Sequence, residues 1–214
     1  MKIRVVAAVA LTALSLAGCA GNAADTSAPA SPVPAETVQS PVSTPSPSAT
    51  PTPTEAPSKY GVTKTNARGN LVKAVGQLAG MSDSADGSSP ITVEFKITAI
   101  DPNFVCTSEY ADKPANGRFV ALTLDVTTTP GLAQNEIPEV SFNPYDFKVF
   151  SPEGTRENDS VGNGFSCLKK SEALPDTIGP GEHAVGKIVL DTANASGSVV
   201  YGPSGGGGGY EWGF

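Results

Sequence analysis

The sequence holds one histidine, one tryptophan and three cysteines in 214 residues, with no Cys-x-x-Cys pair. A single imidazole leaves any Ser-His or Cys-His catalysis to His183 alone, and no Gly-x-Ser-x-Gly elbow accompanies it. One histidine without a local cysteine pair falls short of the four closely spaced ligands that zinc usually takes. Positive charge is also sparse. Against 21 Asp and Glu stand 14 Lys and Arg, a net charge of −7, and no basic cluster occurs. Such a surface repels phosphate backbones, so nucleic acid is not an expected partner. No segment of ten or more residues carries a 3.6-residue apolar period, and no apolar run approaches the ~20 residues that cross a bilayer.

What is present begins with a leader. Lys2 and Arg4 precede an apolar stretch, Val5 to Leu16, which is short for a permanent span and suited to a signal h-region. Leu16-Ala17-Gly18-Cys19 then resembles the bacterial lipobox, in which the cysteine thiol is alkylated by diacylglycerol before cleavage. The expectation is a signal peptide over 1–18 and a lipid on Cys19, against the alternative of an ordinary secretory signal with a chance cysteine. Two or three acyl chains anchor stably, because each buried methylene contributes about 0.8 kcal/mol. Loss of the leader leaves 12 cationic against 21 anionic side chains.

With Cys19 assigned to lipid, Cys106 and Cys167 remain as an even pair in an oxidising compartment. A bridge between them is worth about 4 kcal/mol in the chain-entropy model. Service as metal ligands is the competing reading, which the scarcity of further ligands disfavours. No cofactor is implied.

From Ala20 to Ser58 the chain is almost wholly Ala, Pro, Ser and Thr, with Pro41, Pro45, Pro47, Pro51, Pro53 and Pro57 punctuating it. A segment of this composition cannot bury enough apolar surface to offset its ordering entropy, so 19–58 is expected to be a disordered stalk and 59–214 the folded domain.

Within 59–214 the dominant period is two. Ile91, Val93, Phe95 and Ile97 alternate with Thr92, Glu94 and Lys96; Val120, Leu122, Leu124 and Val126 share a phase; Ala184, Gly186, Ile188 and Leu190 share another. Tyr145, Phe147 and Val149 predict a strand leading into the turn Pro152-Glu153-Gly154, and Ile178-Gly179-Pro180-Gly181-Glu182 is a second turn. Asn70–Gln77 reads as a short strand in preference to one helical turn, Ser198–Tyr201 reads as a short strand, and Tyr210, Trp212 and Phe214, spaced by two, read as a final edge strand. The pattern predicts an all-β sandwich of about seven to nine short strands.

Gly117-Arg118-Phe119-Val120-Ala121-Leu122, the run Phe147 to Thr155, and Gly179-Pro180-Gly181-Glu182 leading into Gly186 to Asp191 resemble a known pattern. It is that of the telokin-like, immunoglobulin-fold domain of unknown function found on lipoproteins of high-GC Gram-positive bacteria. Asn66 to Asn70 and the aromatic close at Tyr210 to Phe214 are similar to the lipoprotein version. The resemblance runs from about Lys64 to the end and implies an immunoglobulin-like β-sandwich without established catalytic residues. It further implies interaction at the cell surface.

The remaining side chains offer weaker leads. Asp83 with Asp86, and Glu153 with Glu157 and Asp159, form acidic loops, but their spacing is not that of an EF-hand, and solvated turns account for them. The run Gly205 to Gly209 lacks the lysine and the strand-to-helix context of a phosphate cradle. Tyr210, Trp212 and Phe214 form a possible binding surface, with packing into the sandwich as the alternative. The expected role is a lipid-anchored, non-catalytic module on the extracytoplasmic face of the membrane, meeting a cell-wall polymer, an envelope protein or a host protein. The alternatives are a small hydrolase using paired carboxylates and a solute-capturing lipoprotein.

Overall fold

The structure is a computed structural model that describes residues 58–62, 64–84, 88–202 and 208–214. The expected leader, Cys19, nearly all of the expected stalk, Asp86 and most of the glycine run lie outside the described residues.

Among the described residues, eight strands form two four-stranded sheets. In chain order they are β1 (Leu71–Val72), β2 (Ala79–Ser82), β3 (Ile91–Asp101), β4 (Arg118–Thr128), β5 (Phe147–Phe150), β6 (His183–Thr192), β7 (Ser198–Tyr201) and β8 (Tyr210–Gly213). One sheet runs β2-β3-β4-β6, antiparallel throughout, and the other runs β1-β8-β7-β5. Short 3-10 turns at Pro130–Gln134, Pro144–Asp146 and Gly164–Ser166 join them. The architecture is the expected all-β sandwich, within the expected strand count.

The alternation read from the sequence is what closes the core. Val93, Phe95 and Ile97 on β3, Val120, Leu122, Leu124 and Val126 on β4, and Ile188 and Leu190 on β6 face Phe147 and Val149 on β5, Val199 and Tyr201 on β7, and Trp212 on β8. Phe95 lies at the centre, edge-on to Phe142, Tyr201 and Tyr210 at centroid distances of 5.0, 5.5 and 5.3 Å. Full burial of each of these side chains stabilises the fold by about 1.5–3 kcal/mol before conformational entropy is subtracted.

Three expectations differ from the structure. The strand expected over Asn70–Gln77 is confined to Leu71–Val72, because the chain turns at residues 75–76 and Val75 is left half-exposed. Tyr145 belongs to the 3-10 turn Pro144–Asp146 and is exposed, with Asn143 accepting the Tyr145 N–H, so β5 starts at Phe147. The closing strand β8 is interior, since β1 pairs with it in parallel and β7 pairs with its other edge.

Candidate binding surface

Sheet alternation gives β4 and β6 a second apolar set facing away from the sandwich core. Phe119, Ala121 and Val189 project from the outer face of the β2-β3-β4-β6 sheet, yet all three are buried. Their cover is a pair of long loops, residues 102–117 and 159–174, which bring Phe104, Cys106, Cys167 and Leu168 onto them. Cys106 and Cys167 are disulfide-bonded across a separation of 61 residues, so the bridge fastens one loop to the other over this minor core. Backbone pairing reinforces it: the N–H groups of Thr107 and Ser108 both donate to the Cys167 carbonyl, at 2.9 and 3.1 Å.

A buried acid supplies the second fastening. Asp191, the next outward-facing residue of β6 after Val189, has no exposed surface. Its carboxylate accepts the backbone N–H groups of Ala115 (2.6 Å), Asn116 (2.9 Å) and Asn163 (3.1 Å), thereby joining both loops to the sheet. A buried carboxylate is tolerated only when its charge is met by donors of this kind. Asn116 completes the arrangement by donating its side-chain N–H to the Asp159 and Asp191 carbonyls, and Asn163 donates in the same way to the Lys113 carbonyl. The approach is so close that glycine is required at two points. A Cβ on Gly162, where φ is +43°, would lie 2.5 Å from Asp191 Oδ2, and one on Gly164 would lie 2.4 Å from the Val189 carbonyl oxygen.

Loops held this firmly nevertheless display large apolar side chains. Val105 and Tyr110 on the first loop are each 81% exposed, and Phe165 on the second is 71% exposed. Where β4 begins, Phe104, Val105, Cys106, Pro114, Arg118 and Phe119 line a cavity of about 360 Å³. Arg118 donates from Nη1 to Asn103 Oδ1 at 3.2 Å, its buried Nε has no acceptor, and no described carboxylate lies within ion-pair distance of it.

The opposite face of the sandwich is closed differently. Glu211, the outward residue of β8, is surrounded by Arg68, Asn66 and Asn70, with Arg68 stacked 4.6 Å from the centre of the Phe150 ring. Burial pushes the Glu211 carboxyl up, but hydrogen bonds from Asn70, Arg68, Asn66 and Ser198 outweigh it and hold the group below the usual carboxylate range. This is a structural closure that ties the Asn66–Asn70 segment to the sheet.

Of the residues singled out in the sequence, Cys106 and Cys167 meet. Tyr210, Trp212 and Phe214 do not form an exposed surface: Trp212 is fully buried, and Tyr210 and Phe214 pack against the same core, because β8 presents this phase to the facing sheet. His183 is exposed at the start of β6, with Nε2 2.9 Å from Asp125 Oδ1, and Lys96 pairs with the other oxygen of Asp125 at 3.1 Å. Asp125 feels burial pushing its pKa up and His183 and Lys96 drawing it down, with a net lowering. Glu157 accepts from Thr192 and Asn194, and Asp159 accepts the N–H groups of Val161 and Gly162, so both serve local structure. Among the described residues, no group of three or more His, Cys, Asp or Glu side chains is gathered around a common point suited to a metal ion.

Sequence reasoning missed Val105, Tyr110, Phe165, Arg118 and Asp191. A usable signal existed for two of them. Val105 and Phe165 stand within two residues of the disulfide cysteines, in stretches between the alternating runs, where an apolar residue belongs to no strand phase that would carry it into the core.

Fold and loop pair together define a disulfide-stapled, all-β sandwich domain. No family model matches the chain, and no curated protein matches its sequence. Among solved structures, MPT63, a secreted protein from Mycobacterium tuberculosis, aligns with a TM-score of 0.44 at 16% sequence identity, covering 67% of this chain and 96% of that one.

Proposed function

We propose that the chain is a bacterial surface lipoprotein of the telokin-like type, anchored through Cys19 after removal of residues 1–18. In this reading residues 19–58 carry the sandwich away from the membrane as a non-catalytic binding module. Export is supported by the Leu16-Ala17-Gly18-Cys19 motif together with the Cys106–Cys167 bridge, which belongs to an oxidising compartment.

The observation that carries the binding role is the exposure of Val105, Tyr110 and Phe165 on two loops fixed by a disulfide and a buried carboxylate. Apolar side chains left in water on a rigid support cost stability in the free protein and lose little conformational entropy on association, as a preorganised interface requires. The mixture of an aliphatic with two aromatics favours an envelope or host protein as partner over a wall polysaccharide, whose rings stack on aromatic faces alone.

The test uses the full chain in its native envelope. A photoreactive residue at Val105 is expected to cross-link one defined protein, and a control at the equally exposed Val62 is expected not to. Cross-linking should vanish when Tyr110→Ser and Phe165→Ser are added. No product at Val105, or the same product from both positions, overturns the surface. Intact-mass measurement addresses the anchor separately: a free thiol at Cys19 or an uncleaved leader disposes of it.

A further inference from the structure

The loop pair carries more than an apolar display, because the cavity of about 360 Å³ at its base has a cation in an otherwise largely apolar wall. Phe104, Val105, Pro114 and Phe119 supply the apolar part, and the Cys106 end of the disulfide adds a polarisable, non-reactive contact. Among the described residues, Arg118 is the only ionisable side chain lining it.

The situation of Arg118 is unusual for a half-buried guanidinium. Five N–H donors meet one neutral acceptor, Asn103 Oδ1, while Nε–H is shielded from solvent and unpaired. Arg68, which does carry an ion pair, shows the usual solution: a buried carboxylate, Glu211, receives its fork. Neighbouring carboxylates do not reach it: Glu109 and Asp112 of the first loop make no ion pair with Arg118, and three others are committed elsewhere. Asp191 is saturated by backbone donors, Glu172 accepts from Thr107, and Asp101 accepts the Asn103 N–H. Nothing within the described chain neutralises Arg118.

A partly shielded cation without an anion beside an apolar hollow is complementary to one kind of ligand, an apolar group carrying a carboxylate a few bonds away. The volume holds a single side chain with its carboxylate and is too small for a sugar oligomer or a folded element.

We propose that this cavity binds the C-terminal carboxylate of a partner polypeptide together with its last, apolar side chain. Arg118 receives the carboxylate, and Phe104 and Phe119 receive the side chain. The proposal rests on the reading of the loop pair as a binding surface and specifies how that surface selects its partner.

N-acetylphenylalanine and N-acetylphenylalanine amide are the probes, titrated into the full mature chain in detergent and followed by the backbone amide signals of Gly117, Arg118 and Phe119. The acid is expected to shift these signals and to bind at least about tenfold more tightly than the amide, since a charge-assisted pair is lost with the carboxylate. Arg118→Gln should abolish that preference while the emission of buried Trp212 stays unchanged, which separates loss of the site from loss of the fold. Equal binding of acid and amide, no binding of either, or an unaltered preference in Arg118→Gln overturns the proposal. Octanoate as a third probe addresses the source of the carboxylate: tighter binding of octanoate than of N-acetylphenylalanine rules out a polypeptide terminus in favour of a fatty acid. If the Val105 cross-link persists while the titrations fail, the interaction surface stands and the carboxylate selection does not.

Discussion

The backbone N–H of Asn116 donates to the buried carboxylate of Asp191 at 2.9 Å across 75 residues of sequence, so one acid on β6 fixes a loop that precedes β4. The same carboxylate takes N–H groups from Ala115 and Asn163, and the geometry of the proposed binding loops therefore depends on a residue that touches no partner.

Asp191→Asn tests that dependence. An amide offers one acceptor oxygen where three N–H groups converge, and its own NH2 opposes them. The expected loss is about 2–3 kcal/mol, the range for hydrogen bonds to a charged group in a site where donors are left unpaired. Urea denaturation gives the magnitude. Hydrogen exchange is expected to rise in residues 111–117 and 159–166 before it rises in β3 and β4, and an unchanged pattern would remove Asp191 from its assigned role.

Removal of the disulfide has a different signature. Cys106→Ser with Cys167→Ser releases a loop of about 60 residues and should cost about 4 kcal/mol if the constraint on the unfolded chain dominates. The main core contains neither cysteine, so near-ultraviolet circular dichroism from Trp212 and its aromatic neighbours should survive below the lowered Tm. Loss of that signal at low temperature would mean that the minor core is needed for the major one.

Glu211 predicts the acid limb of stability. Its folded pKa is depressed, so as pH falls the unfolded chain takes up the proton first. The contribution is full above the ordinary glutamate value of about 4.3 and is lost as pH drops through the lower folded value. Glu94, lowered by hydrogen bonds from Lys59 and Tyr60, and Asp125 act in the same sense at more exposed positions, where solvent weakens the effect. Glu211→Gln should lower Tm at pH 7 and flatten its decline between about pH 5 and pH 2. A variant whose acid limb parallels that of the parent would show that Glu211 is not a main source of it.

Trp212 reports on the core directly. Its emission should be blue-shifted and resistant to acrylamide, because the side chain is fully buried. Trp212→Ala should cost about 3–5 kcal/mol, as for other large-to-small core changes. Trp212→Phe should cost far less than that, since the indole N–H has no acceptor among the described residues and its removal relieves an unpaired buried donor. Chemical denaturation of the two variants gives the comparison, and equal losses would contradict the unpaired state of the indole.

Much of the sandwich is legible in the amino-acid pattern alone. β3, β4, β6 and β7 announce themselves because one face of each enters a dry core, and a period of two then becomes a necessity. Strand β2, Ala79-Gly80-Met81-Ser82, gives no such sign. Its small residues have weak strand preference, and it is held by pairing with β3 and by the Tyr210 hydroxyl donating to the Gly80 carbonyl. The interior position of β8 is equally hidden, since parallel pairing with β1 joins residues from opposite ends of the folded segment and leaves no local trace.

The phases of β3, β4, β6 and β7 and the pairing of Cys106 with Cys167 thus follow from the order of the amino acids, because each rests on local chemistry or on counting. Long-range closure settled the rest: that Phe119, Ala121 and Val189 are buried on the outer face, that Asp191 lies beneath two loops, and that Arg118 is left beside a hollow without an anion. Burial and charge neutralisation on an outward strand face are set by which distant loop folds over it, and no window along the chain contains that information.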